Sequence, residues 1–577
     1  MDVHVAETVT GYQALVATLE SWGIELCAGV TGGGAIRFLE KLPPLRPGED
    51  AGGEPGGMRF LTLGEYAAGF VPLGSYLATG RIGAGIATTG AATKLLGCGL
   101  SDAKLHDIPA VYIVPASPPE TEGLSPLQDT SPLGSNMLAQ LRAELPDGVF
   151  VLDDAATMRQ RLQHAHARLR RCQPVVLVLD HDALQAETVP HRAAPAPDAA
   201  PDPAATDAFA DAFCQSIHGR RVVILAGEEL ARMPDAPRLT TRLCAALGAP
   251  IVWSINGANG VERGNPYGHG TISFGGNDAA LRLWRGIGAE DVLLVLGACP
   301  DEYTVNLAPY AAGDTFILTD LPEGYGQVEG GFGHRAAGRH RQLVAPLDTA
   351  LPSLLARIER QPPETRRADP APDDLNTRHP GPPRPGHVDM AALFRALDGR
   401  WRPDTIGFDD VCLAYKDRQY VLQRPNPRAR FFSLYRGSAM GNVLGLAIGA
   451  KLAAPGSDVV GFTGDGCFRL FAGYLAEARD MGILLFLLDN ASYGIIEQGV
   501  QTIIPDAPAS RRHNRLEAMD FAAMAGACGW RSAALRPDLS NLDDILGAHR
   551  AGLASTLVTV PVDAGHILGI NPRASNL

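Results

Sequence analysis

A chain of 577 residues with 46% hydrophobic and 20% charged residues has ordinary globular composition and exceeds what one core comfortably buries, so three or four domains are expected. Its net charge of −13 argues against non-specific binding to nucleic acid or to anionic membranes, both of which favour a basic face. Nine cysteines stand singly without zinc-ligand spacing, the amino terminus lacks a basic start with an apolar stretch, and no apolar run approaches the roughly 20 residues that span a bilayer, so reduced thiols and a cytoplasmic protein are expected.

Two stretches rich in Pro, Ala and charge, residues 187–206 and 361–387, lack apolar periodicity and read as linkers. They divide the chain into pieces at 1–186, 207–360 and 388–577. Each piece alternates short apolar runs with helical patterns, which predicts an α/β fold with three parallel-sheet domains.

In the first piece the pattern predicts a helix over 10–22 and strands over 25–30, 58–63, 83–88 and 109–115. The first strand runs into Thr31-Gly32-Gly33-Gly34-Ala35, where three glycines admit a ligand or a neighbouring backbone. The second leads to Gly64-Glu65 and a helix over 65–77, whose first turn suits the Glu65 charge. The third leads to the small-residue loop 89–93 and a helix carrying Lys94, Lys104 and His106. Gln128 follows within Ser-Pro-Leu-Gln-Asp-Thr.

The middle piece has strand patterns over 221–226, 250–254, 292–297 and 315–319, with Gly268-His269-Gly270-Thr271 among them. In the last piece, Asp409-Asp410-Val411-Cys412-Leu413 precedes a Gly- and Ala-dense segment, 431–450, that leads into a helix. An apolar run, 459–463, then meets the tight turn Gly464-Asp465-Gly466. Leu470, Leu475 and Ala478 recur at helical spacing before a second apolar run, 483–488, which ends at Asp489-Asn490. Such a strand, helix, strand crossover makes the strands parallel and sends Asp465 and Asn490 from the same carboxyl edge. A carboxylate and an amide oxygen beside a helix amino terminus suit a hard cation that shares its coordination with a phosphate.

Gly464-Asp465-Gly466 followed by Asn490 resembles the Mg²⁺ and diphosphate motif of thiamine diphosphate (ThDP) enzymes of the acetolactate synthase and 2-oxo acid decarboxylase kind. The resemblance implies Mg²⁺ held by side-chain oxygens of Asp465 and Asn490 and the backbone carbonyl of Ser492, with Gly464, Gly466, Cys467, Tyr493 and Gly494 around the cofactor. The sequence departs from the family in a slightly shorter spacer and in Asp489-Asn490 where Asn-Asn is usual.

By the same resemblance, Glu65 falls where the family keeps a catalytic glutamate that also binds the cofactor's aminopyrimidine and promotes loss of the thiazolium C2 proton. Gly34 and Ala35 belong to a loop similar to the Gly-Gly-Ala-Ile loop of acetolactate synthases, and Gln128 sits where those synthases carry an active-site glutamine; the decarboxylases more often have a His pair. Met440 takes the place of the large apolar residue beneath the cofactor, and the Ser438 carbonyl that of the acceptor from its amino group. Residues 409–413 do not match the Gln and His of the synthases. Lys94, Lys104 and His106 are solvated helix positions or a cationic patch for an acidic substrate. The 268–271 segment is similar to one that contacts FAD in acetolactate synthases, so FAD is possible but not required.

The implied activity is a ThDP- and Mg²⁺-dependent carboligase that decarboxylates a 2-oxo acid donor and transfers the acyl carbanion to an acceptor carbonyl. The alternatives are decarboxylation or C–C cleavage without ligation, and a non-catalytic ThDP-binding relative. The resemblance also implies a homo-oligomer, at least a dimer, with its active site shared between the first domain of one subunit and the third of another. Neither nucleic acid nor membrane is an expected partner.

Overall fold

The computed structural model describes residues 9–48, 57–188, 202–321, 335–506, 508 and 513–576. Three six-stranded sheets organise them, and every neighbouring pair of strands within these sheets is parallel. Strands such as Val175–Leu179, Val222–Ala226 and Val292–Leu296 are buried at every residue, which is why they read as continuous apolar runs rather than alternating ones.

In space the amino-terminal sheet runs Arg59–Thr62, Leu26–Gly29, Ala84–Ile86, Val111–Pro115, Val175–Leu179, Val149–Leu152. The carboxyl-terminal sheet runs Ala429–Ser433, Thr405–Asp409, Val459–Gly464, Ile483–Asp489, Thr556–Pro561, Arg531–Ala534. Ranked by chain order within each sheet, both follow 2-1-3-4-6-5, so the outer sheets share one topology. The central sheet follows the different order 3-2-1-4-5-6, with Gly268–Thr271 and Arg339–Val344 as its edges. In each sheet the connections part on either side of the first strand, a switch point at the carboxyl edge where α/β sheets can open a crevice.

The outer sheets dock through two helices, Val71–Thr79 and Val443–Ala453. Their backbones touch: a Cβ at Gly74 would lie 2.0 Å from the Leu446 carbonyl oxygen, and one at Gly445 2.2 Å from that of Ala67. The helix expected over 65–77 is divided into Glu65–Ala68 and Val71–Thr79, because Pro72 fits a first turn but not a helix interior.

The short spacer after Gly466 also has a physical reason. Asp465–Phe468 is a single helical turn, and Ala472–Ala478 is a 3₁₀ helix rather than the α-helix expected. Seven residues at about 2.0 Å rise cover the distance of about nine α-helical residues at about 1.5 Å, so fewer residues bridge the same two strands. Leu475 and Ala478 are buried as their spacing suggests, whereas Leu470 is exposed.

Of the expected linkers, residues 189–201 lie outside the described residues, while Glu187–Thr188 pairs antiparallel with Val9–Thr10 and a helix begins at Pro203. Residues 361–387 form no helix or strand but are strapped down, for example by the Arg366 N–H on the Arg220 carbonyl and by buried Leu375 and Asn376. All nine cysteines are unpaired, and among the described residues no helix is long and apolar enough to cross a membrane.

Candidate active site

Two clusters form, one at the carboxyl edge of each outer sheet. In the amino-terminal sheet, Gly32 and Gly34 follow the first strand, Glu65 the second and Thr88–Gly90 the third. Gln128, in a loop beyond the fourth, returns to them: its Oε1 accepts the Thr89 hydroxyl at 2.8 Å, and its Cβ packs on Gly90. A Cβ at Gly34 would lie 2.9 Å from the Pro115 side chain and 3.0 Å from that of Thr89, so the glycine loop is pressed onto the same edge. Ala35 is buried behind it as the cap of the Ile36–Leu39 helix. Glu65 stands half-buried in the first turn of its short helix, with the Tyr474 ring laid against Gly64. The expected residues Gly34, Ala35, Glu65 and Gln128 are therefore distributed around one sheet edge.

The carboxyl-terminal cluster gathers at Val459–Gly464 and Ile483–Asp489, paired so that Gly464 stands beside Leu488. Asp465 is buried and its Oδ1 accepts the Gly466 N–H at 2.9 Å; burial, above all, pushes its carboxyl up to about 6, while the N–H groups of Gly466, Asn490 and Ala491 pull the other way. Those hydrogen bonds tie the two strand ends together. Asn490 Oδ1 accepts both the Ser492 N–H at 3.0 Å and its hydroxyl at 3.2 Å, which fixes the 490–492 turn. The Tyr493 ring covers Gly466, where a Cβ would lie 2.6 Å from it, and a Cβ at Gly494 would meet the Asn490 amide at 2.6 Å. Gly494 starts the helix Gly494–Ile503.

This donor set fits a hard divalent cation: a carboxylate, an amide oxygen and the backbone of a fixed turn, all oxygen, at one strand edge. The Gly466 and Gly494 positions, which side chains would fill, let the backbone of both turns come close to a diphosphate. Cys467 contributes differently from the expectation. Its thiol is turned inward, donating to the Val411 carbonyl at 3.2 Å, and burial holds its pKa well above the ordinary value. Only its backbone remains for a cofactor.

Several residues that position this cluster were not expected. The mismatched pair Asp409-Asp410 is structural: Asp409 binds Arg418, whose guanidinium stacks 3.9 Å over Phe431, and Asp410 accepts from Gly441 N–H at 2.9 Å, Val411 N–H at 2.8 Å and the Thr463 hydroxyl at 2.8 Å. Asp410 thus holds the loop that carries Ser438, at φ +51°, and half-buried Met440. Lys416 and Asp417 form a buried ion pair at 2.5 Å that also binds the backbone of Gly569, so the carboxyl-terminal tail is pinned next to the site. An acidic pair directly after a strand at a switch point was a readable signal; the distant partners of Lys416 and Asp417 were not.

The two clusters meet within the chain through Tyr66, whose hydroxyl donates to the Met440 carbonyl, and through Tyr474 beside Gly64-Glu65. Arg436 anchors the same loop from the other side. Its side chain is 5% exposed and pairs with Glu228 and, at 2.5 Å, with Asp301 of the central domain. Its Nη1 donates to the Leu105 carbonyl at 2.8 Å and its N–H to His106 Nε2 at 3.1 Å. Burial, reinforced by Arg436 and Arg232, holds His106 well below its ordinary pKa, so the ring is neutral and able to accept. Lys104 donates to the Glu144 carbonyl at 2.7 Å. A cationic patch of Lys94, Lys104 and His106 is therefore not formed: His106 is buried in a latch, Lys104 is engaged, and Lys94 alone is freely exposed.

The switch point of the central domain is closed. Gly268–Thr271 is an edge strand, and at the switch point a Cβ on Gly227 would lie 2.1 Å from Ala298. Buried Glu228 and Glu229 occupy the turn that follows, with Glu229 accepting from Thr319 and the Asp320 N–H at 2.7 Å each. Two carboxylates and a closed backbone do not fit a dinucleotide pyrophosphate, which wants open N–H groups.

Residues 9–133 match the family described as thiamine pyrophosphate enzyme, N-terminal TPP binding domain, and residues 416–560 match its C-terminal TPP binding domain. The chain is 24% identical to an acetolactate synthase of Mycobacterium avium over 91% of this chain and 82% of that one. It is 23% identical to acetolactate synthase isozyme 1 large subunit of Escherichia coli over 85% of this chain and 83% of that one. Among solved structures it resembles a thiamine diphosphate-dependent 4-hydroxybenzoylformate decarboxylase of Rhodococcus jostii RHA1, with a TM-score of 0.75 at 19% identity over 96% of this chain and 99% of that one. With both cofactor-binding domains matched and the fold shared over nearly the whole chain, this protein belongs to the thiamine diphosphate-dependent enzyme family, of the acetolactate synthase and 2-oxo acid decarboxylase kind.

Proposed function

We propose that the protein is a ThDP- and Mg²⁺-dependent carboligase that decarboxylates a 2-oxo acid and transfers the acyl group to an acceptor carbonyl. Asp465, Asn490 and the Ser492 carbonyl would hold the metal, and the backbone at Cys467 and Gly494 would approach the diphosphate, while the Gly466 and Tyr493 N–H groups brace the turns on Asp465 and the Asn514 carbonyl. Bound ThDP supplies the electron sink that decarboxylation of a 2-oxo acid needs. Toward bound ThDP, Glu65 would hold a proton at the aminopyrimidine and return it, Met440 would supply an apolar contact, and the Ser438 carbonyl would accept from the amino group.

The observation that carries ligation over simple decarboxylation is Gln128, gathered onto the Gly34 edge by Thr89. An amide is no acid at neutral pH, so at that position it orients substrate without delivering the proton that would release a free aldehyde. The acyl group is thereby left to a second carbonyl. The acetolactate synthase names of the relatives support the same reading.

The site is completed between subunits in this reading. Leu124, Leu127 and Leu133 neighbour Gln128 in the chain with 75%, 93% and 76% of their surface exposed, and Leu470, Ile496 and Ile504 follow the Asp465 and Asn490 turns in the chain at 45%, 55% and 51%. Two such apolar patches, one on each cluster, suit burial against each other across a twofold axis.

The test is incubation with ThDP, Mg²⁺ and a panel of 2-oxo acids, with and without aldehyde or 2-oxo acid acceptors, followed by NMR. A new acyloin or 2-hydroxy-2-alkyl-3-oxo acid is the expected product. Carbon dioxide with free aldehyde alone would make the protein a decarboxylase, and ThDP binding without turnover of any member would favour a non-catalytic role.

A further inference from the structure

A cavity of about 1010 Å³ opens where the three domains meet, along the outer face of the edge strand Ala429–Ser433. Alternate residues of that strand and its flanks line it, Arg428 and Arg430 at one end and Phe432 and Leu434 at the other. The cavity therefore has a cationic mouth and an interior that is apolar apart from polar groups such as Glu228, His106 and Asn256. Arg263 of the central domain adds to the cationic side, though engaged by Asp398 at 2.8 Å, whereas Arg232 is buried against Glu229 and Asp107 and donates to the Asp107 carbonyl at 2.8 Å; Arg430 gives Nη2 to the Ala78 carbonyl at 2.8 Å, and Glu228, Glu262 and Asp404 are the acids of the lining. Ile108, Met233 and Val261 extend the apolar side. A volume of this size accommodates a small organic ligand, with the arginine forks placed to take an anionic group.

The inner wall includes Glu228 and His106. These are the residues that grip Arg436, one through its guanidinium and the other through its N–H, and Arg436 stands two residues before Ser438. Arg436 also fills the space between Glu228 and Asp301, whose oxygens lie with the Cys299 thiol within 4.8 Å of one another, so that group is a guanidinium site rather than a cation site. A ligand in the cavity thus touches both supports of the loop that carries Ser438 and Met440.

We propose that this cavity is an effector site for an organic anion, an apolar body bearing a carboxylate or phosphate, coupled to the 437–441 loop through Glu228, His106 and Arg436. The coupling, though not the binding, rests on the reading of that loop as the cofactor's. Linkage makes the effect reciprocal: an anion that changes ThDP affinity has its own affinity changed by ThDP to the same factor.

The experiment is calorimetric titration of the full-length protein with phenylacetate as the carboxylate probe and AMP as the phosphate probe, neither of which is a 2-oxo acid. One of them is expected to bind wild type once per chain, and which one identifies the headgroup. Arg428→Glu, a substitution on the exposed rim, should raise that Kd about tenfold or more, and Arg428→Glu/Arg430→Glu should abolish binding, with Tm reporting that both variants fold. Saturating probe should shift the ThDP Kd about fivefold or more. The proposal is overturned if neither probe binds, if Arg428→Glu leaves binding unchanged, if excess ThDP competes the probe off stoichiometrically, or if ThDP affinity is indifferent to it. A protein that binds no ThDP at all overturns the functional reading and the coupling with it, while the anion titration still decides the site.

Discussion

Asp410 and Gly441 are joined by a hydrogen bond of 2.9 Å that ties the end of the Thr405–Asp409 strand to the loop bearing Ser438 and Met440. The carboxylate is fully buried, and burial, partly offset by its hydrogen bonds, lifts it from 3.8 to about 6. Its folded-state pKa lies above the unfolded one, so the folded chain binds the proton more tightly, and stability falls as pH rises from about 4 to about 6. A shift of that size corresponds to about 3 kcal/mol that is absent above pH 6. Asp410→Asn keeps an acceptor for Gly441 and a donor for Thr463 while removing the titration. The difference in Tm between Asp410→Asn and wild type should therefore move in the variant's favour by a few degrees as pH is raised from 4 to 7. A constant difference would show that Asp410 does not titrate there. Asp410→Ala, which strands three donors, should instead destabilise at every pH by about 2 kcal/mol or more.

Glu65→Gln tests the proton role. Gln occupies the same first turn, so Tm and ThDP binding should stay close to wild type. Turnover should fall about 10²- to 10⁴-fold, the usual worth of a positioned proton-transfer group. Retained turnover in Glu65→Gln would remove Glu65 from the chemistry and leave it as a helix-start residue.

Much of this architecture was legible because each layer leaves a local trace. Buried parallel strands leave unbroken apolar runs, and a loop at a carboxyl edge leaves Gly, Asp or Asn directly after them, which is how Asp465 and Asn490 stand out. Glu65 and Gln128 were legible only through resemblance, since neither carries a local signal beyond its turn. What stayed hidden depends on partners far along the chain. Arg436 lies 208 residues from Glu228 and 330 from His106, so nothing near it announces a three-domain latch. The 3₁₀ geometry of Ala472–Ala478 was hidden for another reason: Leu475 and Ala478 are three apart, a spacing that 3₁₀ and α-helices both bury.

Metal ligation is tested by removing one oxygen donor at a time. Asp465→Ala and Asn490→Ala should each weaken Mg²⁺-dependent ThDP retention by more than the 10- to 100-fold that loss of an outer-shell partner typically costs. Asp465→Ala should be the more severe, because it also frees the N–H groups of Gly466, Asn490 and Ala491 that fasten the two strands. Equilibrium dialysis with Mg²⁺ varied at fixed ThDP separates metal loss from cofactor loss. Unchanged Mg²⁺ dependence in both variants would place the metal elsewhere.

The contact of Tyr493 with Gly466 gives a pairwise test of the diphosphate cradle. A Cβ at Gly466 would lie 2.6 Å from the tyrosine ring, closer than real side-chain contacts, so Gly466→Ala must push the ring or the turn aside. Overpacking of this kind costs about 1–3 kcal/mol, and displacement of the Gly466 N–H from Asp465 should disturb that carboxylate and weaken ThDP binding as well. Tyr493→Ala removes the obstacle. The double variant should therefore recover much of the ThDP affinity lost in Gly466→Ala, a coupling of about 1 kcal/mol or more in a double-mutant cycle. Additive losses would mean that the Cβ harms binding by meeting the diphosphate itself rather than by displacing the ring. Tyr493→Phe supplies the control: it keeps the ring and loses only the hydroxyl, so combined with Gly466→Ala it should rescue nothing.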